Sequence, residues 1–294
     1  MTAPAARSTS REVLRALRSH RLALVGCAVL ALLVVAAVLG RLVAPYDENA
    51  VDVVGRLQAP SVRHPFGTDE LGRDVLSRVL VAARISLLVG LVSVGIALTA
   101  GVVLGLVAGF YGRWIDDVVM RLMDVLFAFP AILLAIAILA VLGPGVTNVM
   151  IAIGVVYTPI FARITRASVL SVREEVYVRA ARSLGVGDLR LLRLHVLPNV
   201  LAPIIVQTSL SLAFAILSEA ALSFLGLGVQ PPDPSWGRML LEGRGFVQQA
   251  WWTGVFPGAA IFVTVLSFNV VGDALRDALD PRQRSAVEAR GARP

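Results

Sequence analysis

Between two long apolar runs, the chain reads Val172-Arg173-Glu174-Glu175-Val176-Tyr177-Val178-Arg179-Ala180-Ala181-Arg182-Ser183-Leu184-Gly185. At about 100° per residue, its apolar side chains fall on one half of a helix and its charged side chains on the other. Glu175 and Arg179 are four residues apart, in the order that favours an ion pair along a helix. Gly185 can adopt the left-handed conformation that ends a helix. The charged half carries Glu174, Glu175, Arg179 and Arg182, and the apolar half carries Val172, Val176, Tyr177, Ala180, Ala181 and Leu184.

The residues after Gly185 predict a second short helix. They read Asp188-Leu189-Arg190-Leu191-Leu192-Arg193-Leu194-His195-Val196-Leu197-Pro198. Asp188 belongs to the residue types that cap helix N-termini, and Pro198 either closes this helix or opens the next apolar run. The polar segment 163–199 is therefore predicted to form a helix–glycine–helix elbow on a membrane surface. An ordinary solvated loop is the alternative, and composition and periodicity do not decide between the two.

The composition places the chain in a membrane. Hydrophobic residues make up 57% of it and charged residues 16%, which is too apolar for an ordinary soluble domain. Because backbone groups in lipid must bond within their own segment, long apolar runs are expected to be helices, and crossing a bilayer takes roughly 20 residues. The predicted fold class is an all-α integral membrane protein with about six transmembrane helices. The six apolar runs cover 22–39, 85–110, 122–142, 146–162, 201–224 and 255–272.

The basic residues, all of them arginine, indicate the topology. With the N-terminus inside the cell, the inner segments hold 19 arginines and the outer segments hold 8. This asymmetry follows the positive-inside rule and predicts a multi-pass protein of the cell membrane with both termini and the elbow in the cytoplasm. The net charge of +7 therefore requires no nucleic-acid partner. The predicted divisions are tails 1–21 and 274–294, a first helix 22–40, an outer segment 41–84 and a core 85–273.

The residue types that are missing exclude several kinds of chemistry. The chain has one cysteine, Cys27, so it cannot form a disulfide within itself. It contains no lysine, and a Walker A motif requires one. No catalytic constellation is found either, so we expect no enzymatic activity. The prediction is that this chain binds no cofactor, and that a partner hydrolyses any ATP that drives it.

The predicted outer segment contains a dense polar motif, His64-Pro65-Phe66-Gly67-Thr68-Asp69-Glu70-Leu71-Gly72-Arg73-Asp74. Gly67 and Gly72 favour turns, and Asp74 can start an interfacial helix that leads into the membrane. His64, Asp69 and Glu70 are residue types that bind metals. A lone histidine with two acids is more often part of a solvated loop, so no metal site is predicted.

Small and polar residues within the spans suggest packing and pathway roles. Gly101, Gly105 and Gly109 share one helix face, and such ladders let membrane helices approach closely. The seam is expected within this chain, with a seam to a sister subunit as the alternative. Pro130 is expected to kink the third span. Four residues of the fifth span are candidates for lining or gating a pathway, with a buried structural or gating role favoured for the carboxylate: Gln207, Ser211, Ser218 and Glu219.

Several motifs resemble those of one transporter family. The spacing of Ala180-Ala181, Gly185 and His195-Val196-Leu197-Pro198 resembles the EAA loop of ABC importer permeases. Arg179 stands where the family has Glu, and His195 stands where the wider pattern has an aliphatic residue. The motif 64–78, the stretch 218–237 and the terminus 269–282 are similar to the dipeptide/oligopeptide/nickel branch, in particular to its second, C-type permease.

The resemblance implies a type I importer permease fold and a function in alternating-access transport. Such permeases pair with a second homologous permease, two cytoplasmic ATPase subunits that carry ATP and Mg, and an extracytoplasmic substrate-binding protein. Loop 173–198 would couple to the ATPase, which implicates Glu174, Glu175, Arg179, Ala180, Ala181, Gly185, His195 and Pro198. A peptide is the expected cargo. A permease for nickel or another small solute, and an ion-driven secondary transporter, are the alternatives.

Overall fold

The computed structural model describes residues 21–279, which fold into ten α-helices. Residues 1–20 and 280–294, which are most of the predicted tails 1–21 and 274–294, lie outside the described residues, and with them lies the end of the C-terminal motif. The predicted C-terminal tail begins too early, because the last helix continues to Leu279. The helices are α1 Arg21–Val43, α2 Val75–Tyr111, α3 Arg113–Phe127, α4 Ala131–Leu142, α5 Val146–Val172, α6 Val176–Ser183, α7 Asp188–Leu191, α8 Leu197–Phe224, α9 Trp236–Gly243 and α10 Trp252–Leu279.

Five helices within residues 21–279 are long and apolar enough to cross a membrane: α1, α2, α5, α10, and α7 with α8 taken as one. The predicted third span, 122–142, is not one kinked helix. It is divided between α3 and α4, which meet at an angle of 92° and together make the sixth candidate span. Pro130 takes the N-cap position of α4. Because proline disfavours helical backbone in the residue before it, the helix is interrupted there.

Two helices extend well beyond their predicted limits. The predicted interfacial helix and second span are one continuous helix, α2, whose N-cap Asp74 accepts a hydrogen bond from the backbone N–H of Ser77. The predicted fourth span ends at 162, whereas α5 continues to Val172. The extension is supported by ion pairs to α3, since Arg166 bonds Asp116 and Arg163 bonds Asp124 at 2.6 Å. Hydropathy marks the apolar part of a helix, and polar contacts can prolong it.

The contacts between helices define two ends of the bundle. Gly101 of α2 lies against Phe161 of α5, and Gly109 lies against Val169, so these two helices run in parallel. Helix α8 runs back along α2, with Ile216 against Gly90. One end, the elbow end, holds α6, α7 and the C-terminal ends of α2 and α5. The opposite end, the cap end, holds the cap, which is residues 44–74 together with α9.

Two groups of buried apolar residues hold the bundle together. The larger group joins α2, α4, α5 and α8 and reaches the elbow through Val178 and Leu191. The smaller group joins α2, α9 and α10 under the cap, where Trp236 and Trp252 are buried. The indole N–H of Trp252 donates to the carbonyl of Thr68 at 2.9 Å, which fixes the cap on α10. The elbow and the cap are thus packed at opposite ends of the same helices.

Candidate functional site

The elbow has the predicted helix–glycine–helix form, with different limits. Residues 173–175 separate α5 from α6, so no single helix runs from Val172 to Leu184. Gly185 has a φ of +81°, as a left-handed helix end requires. Gly187, not Asp188, occupies the N-cap position of α7, and Asp188 is its first residue. A π-helical turn, Leu192–Val196, leads into α8, whose first turn contains Pro198. Pro198 therefore opens the next run.

Several apolar residues of the elbow are exposed. Val178, at the start of α6, is buried in the larger core, whereas Val176 is 72% exposed and Leu184 is 85% exposed. Leu189 on α7 is 79% exposed. Several large exposed apolar side chains within one short segment outside the lipid-facing helices are typical of a protein–protein contact. We call this surface the elbow patch, and its residues are Val176, Tyr177, Leu184, Leu189 and Leu194.

Exposed charged residues lie next to the elbow patch in the chain. Glu174, Glu175 and Arg179 are exposed. The predicted ion pair between Glu175 and Arg179 is not formed among residues 21–279, and Glu174 instead pairs with Arg173 at 3.1 Å. Glu175 precedes the first turn of α6 in an extended conformation, so its side chain does not follow the helical spacing.

The remaining predicted residues of the elbow lie around the same surface. Ala180 is exposed and Ala181 is half-buried against the larger core. The half-buried ring of His195 lies 6.4 Å from the ring of Tyr177, measured between centroids. The elbow therefore carries exposed apolar and exposed charged side chains together, as docking surfaces do.

The three glycines of α2 lie against α5 of the same chain. A Cβ atom on Gly101 would come within 2.5 Å of the Phe161 Cβ, and one on Gly105 within 2.5 Å of the Ala162 carbonyl oxygen. A Cβ on Gly109 would come within 2.8 Å of the Val169 Cβ. Such distances leave no room for any side chain, so the two backbones are in contact.

The four candidate pathway residues of α8 differ in their exposure. Gln207 is half-exposed and lines an open groove between α5, α8 and α10, where it donates to the Ser211 hydroxyl at 3.0 Å. Ser211 itself is buried. The hydroxyls of Ser218 and Tyr157 are 3.1 Å apart and form a hydrogen bond between α8 and α5. Gln207 and Ser218 are therefore the accessible members of the set.

Glu219 is 1% exposed and lies at the cap end of α8. The Ser223 hydroxyl donates to its Oε1 at 2.7 Å, and the hydroxyls of Ser235 and Ser86 also face the carboxyl group. Its Oε2 atom has no hydrogen-bond partner in the described part of the chain. The serines come from α8, α2 and the N-cap of α9, so Glu219 lies where these three elements meet.

Sequence reasoning missed an ionic cluster that joins the cap to α2. Arg73 bonds Asp69 at 2.6 Å, Glu70 at 3.0 Å and Glu242 at 2.9 Å. Arg78, which is 1% exposed, also bonds Glu242 at 3.0 Å. Glu242 lies on α9, far along the chain from the other members. The sequence shows that the motif 64–74 is rich in charged residues, but it does not show that Glu242 pairs with them.

The metal-binding set considered from the sequence is not brought together. His64 pairs with Asp74 at 2.9 Å, which leaves it apart from Asp69 and Glu70. The carboxylates of Asp69, Glu70 and Glu242 do lie within 4.8 Å of one another. Arginine guanidinium groups already occupy the space between them. Burial, and after it the neighbouring Asp69, raises the pKa of Glu70. The arrangement is that of a buried ion-pair network.

Comparison with known proteins gives the class of the chain. Residues 101–285 match the family described as binding-protein-dependent transport system inner membrane component, and residues 8–60 match the N-terminal transmembrane domain of oligopeptide transport permease C. The chain belongs to the former family, and it is a multi-pass permease subunit of the ABC importer type. The resemblance to C-type permeases noted in the sequence is thereby confirmed.

Individual relatives are similar over nearly the whole chain. A dipeptide transport system permease protein DppC of Alkalihalophilus pseudofirmus is 48% identical over 94% of this chain and 90% of its own length. A di/tripeptide transport system permease protein DppC of Pseudomonas aeruginosa is 47% identical over 95% and 94%. A glutathione transport system permease protein GsiD of Escherichia coli is 47% identical over 94% and 91%.

Solved structures support the fold. An inward-facing structure of the MetNI methionine ABC transporter matches with a TM-score of 0.55 and 16% identity, over 69% of this chain and 96% of that one. An amino acid ABC transporter crystallised with histidines matches with a TM-score of 0.53 and 18% identity, over 68% and 92%. At these identities the likeness concerns the fold alone, and it confirms the predicted type I permease architecture.

Proposed function

We propose that this chain forms one half of the translocation pathway of an ATP-driven importer of short peptides. The observation that carries the proposal is the elbow patch, a group of exposed apolar residues at one end of the bundle with exposed charged residues beside them in the chain. A membrane helix needs no such surface for lipid contact, whereas a subunit driven by a separate ATPase needs a place to receive it. ATP and Mg would be bound by that partner and not by this chain.

A peptide is proposed as the cargo because of the substrates that similar proteins are named for. Dipeptides, di- and tripeptides and glutathione, which is itself a tripeptide, are the substrates in the names of three proteins that are 47–48% identical to this chain. Gln207 and Ser218 are proposed to line the path, because they are the accessible members of the four candidate residues. Glu219 is proposed to be structural, because it is enclosed by serines of three elements.

The proposal includes an orientation and a set of partners. The distribution of arginines supports a cytoplasmic elbow and cytoplasmic termini in the cell membrane. The ATPase would then dock from the cytoplasm, and a substrate-binding protein would deliver peptide at the cap. A second, homologous permease would complete the pathway. This chain would itself catalyse no reaction.

The test is uptake by proteoliposomes that contain this permease, its sister permease, the ATPase subunits and the substrate-binding protein. Labelled dipeptide should accumulate with ATP and Mg and should not accumulate with a non-hydrolysable ATP analogue. Nickel offered under the same conditions should not accumulate. Uptake of dipeptide driven by an ion gradient without ATP would overturn the proposal. ATP-driven uptake of nickel without uptake of dipeptide would mean that the cargo is nickel and not peptide.

A further inference from the structure

We propose that Arg173 and Arg182 tie the elbow to the C-terminal end of α2, so that α2 carries elbow motion to the ionic cluster that joins α2 to the cap. The inference rests on the proposed coupling function and assigns positioning roles to two residues. Arg173 immediately follows α5, and Arg182 lies in the last turn of α6. Together they hold both ends of α6 against the same helix.

The first tie is a hydrogen bond to a helix end. Arg173 Nη1 donates to the carbonyl oxygen of Gly109 at 2.7 Å. Gly109 belongs to the last turn of α2, where carbonyl groups have no partner within the helix. A positive charge is also favourable there because of the helix dipole. The contact thus satisfies a carbonyl group that α2 leaves unpaired, and it links residues that are 64 positions apart.

The second tie is a cation–π contact. The guanidinium carbon of Arg182 lies 4.9 Å from the ring centroid of Phe110, within the range in which such contacts attract. Phe110 is 5% exposed and belongs to the larger core, so its ring is fixed. An exposed arginine on α6 is thereby attached to a side chain of α2 that is packed in the larger core. With Arg173, it gives α6 two points of attachment to α2.

The geometry of α2 suits it to transmit motion. It is one helix of 37 residues, which corresponds to a length of about 55 Å. Gly101, Gly105 and Gly109 hold its backbone against α5, so the pair should move as a unit. At the other end, Arg78 of α2 bonds Glu242 of α9 at 3.0 Å. Displacement at Gly109 therefore acts on the contact between α2 and the cap.

Helix α3 is connected differently. Its Asp116 and Asp124 pair with Arg166 and Arg163 of α5, and not with α6. This distinction provides a control, because Arg121 is an exposed arginine on α3 at the same end of the bundle. Replacing Arg121 removes the same charge without breaking either tie to α2.

The experiment compares the double variant Arg173→Gln/Arg182→Gln with Arg121→Gln in the complete reconstituted transporter. Assembly is checked by gel filtration, and peptide uptake and ATP hydrolysis are measured on the same vesicles. The double variant should hydrolyse ATP within about twofold of wild type, while peptide moved per ATP falls about tenfold, a usual size for coupling between distant sites. Arg121→Gln should leave the ratio unchanged. If the double variant fails to assemble, each single variant should lower the ratio roughly threefold, since independent effects multiply.

Two results would overturn the inference. An unchanged ratio in an assembled variant would mean that elbow motion does not pass through these arginines. An equal fall in hydrolysis and uptake would mean that they support the ATPase contact instead. If Gly185→Val still reduces ATP-driven uptake in either case, the proposed function survives without the inference. If Gly185→Val is also without effect, the coupling role of the elbow itself fails.

Discussion

Gly185 sets the direction of the chain between α6 and α7. Its φ is +81°, and no atom lies within 4 Å of the position that a Cβ would take. Any penalty for a side chain there is therefore conformational and not steric. The left-handed conformation costs an L-residue roughly 1–2 kcal/mol, and a β-branched side chain is among the least tolerant of it. The elbow is thus sensitive to substitution at a point that contributes nothing to core packing.

Gly185→Val should abolish ATP-driven peptide uptake while the protein still inserts in the membrane. The valine would change the backbone conformation between the two helices and rotate α7 away from α6. The residues of the elbow patch on α6 and α7 would then be separated. The measurement is uptake in vesicles, with the membrane level determined by immunoblot. Gly187→Ala is the matched control, because Gly187 has a φ of −65° and open space around it. Normal uptake by Gly185→Val would count against the coupling role.

At the scale of elements, the seam between α2 and α5 depends on glycine for close approach. Gly105→Ala would place its Cβ 2.5 Å from the Ala162 carbonyl oxygen, which is too close for atoms that are not bonded. Because the contact is with backbone, the helices must separate, and overpacking of this kind costs about 1–3 kcal/mol. We expect a lower midpoint of thermal unfolding for the purified transporter in detergent.

Gly95→Ala is the control for the seam. Gly95 is on the same helix, but no atom lies within 4 Å of its would-be Cβ. Alanine also has a higher helix propensity than glycine, so this variant should be as stable as wild type or slightly more stable. Equal midpoints for Gly105→Ala and Gly95→Ala would show that the two helices do not rely on backbone contact.

The junction between α3 and α4 lies where a kink was predicted, but the bend is larger than the predicted kink. Proline at 130 predicts a disturbance at that position, and the chain does change direction there. The bend of 92° nevertheless exceeds what proline alone requires. Helix α3 carries acidic residues that pair with Arg163 and Arg166, and these ion pairs hold it across α5.

At the scale of the whole molecule, the cap is attached to the bundle by the ionic cluster. Glu242→Ala would leave the buried Arg73 and Arg78 without one of their shared carboxylates. Removing one member of a buried ion-pair network is expected to cost about 3–5 kcal/mol, because an uncompensated charge is left behind. The variant should unfold at a markedly lower temperature than wild type and should expose the cap to limited proteolysis.

Arg163→Gln tests whether any lost ion pair would have that effect. Its pair with Asp124 is largely exposed, with side-chain exposures of 44% and 62%. Exposed pairs contribute about 0–1 kcal/mol, so this variant should unfold close to wild type. If Glu242→Ala were as mild as Arg163→Gln, the cluster would not be what holds the cap.

The sequence alone was sufficient for features that depend on local backbone preference and on hydropathy. It predicted the apolar helices, the turn at Gly185 and the start of a helix at Asp74, because glycine conformation, helix capping and lipid solubility depend on a few neighbouring residues. It also suggested the family, since the motifs that carry the resemblance are continuous in the chain. The limits of α2 and α5 were predicted less well, because a helix can continue beyond its apolar part.

Only the tertiary structure decided which residues meet. Arg73 and Glu242 are 169 positions apart, and no local pattern announces their contact. The same holds for Arg173 and the carbonyl of Gly109, and for the side of the elbow that packs on the bundle. Such contacts depend on how whole helices dock, and docking is determined by the shape and charge of surfaces drawn from distant parts of the chain. The cap, the seam and the attachment of the elbow to α2 therefore follow from packing.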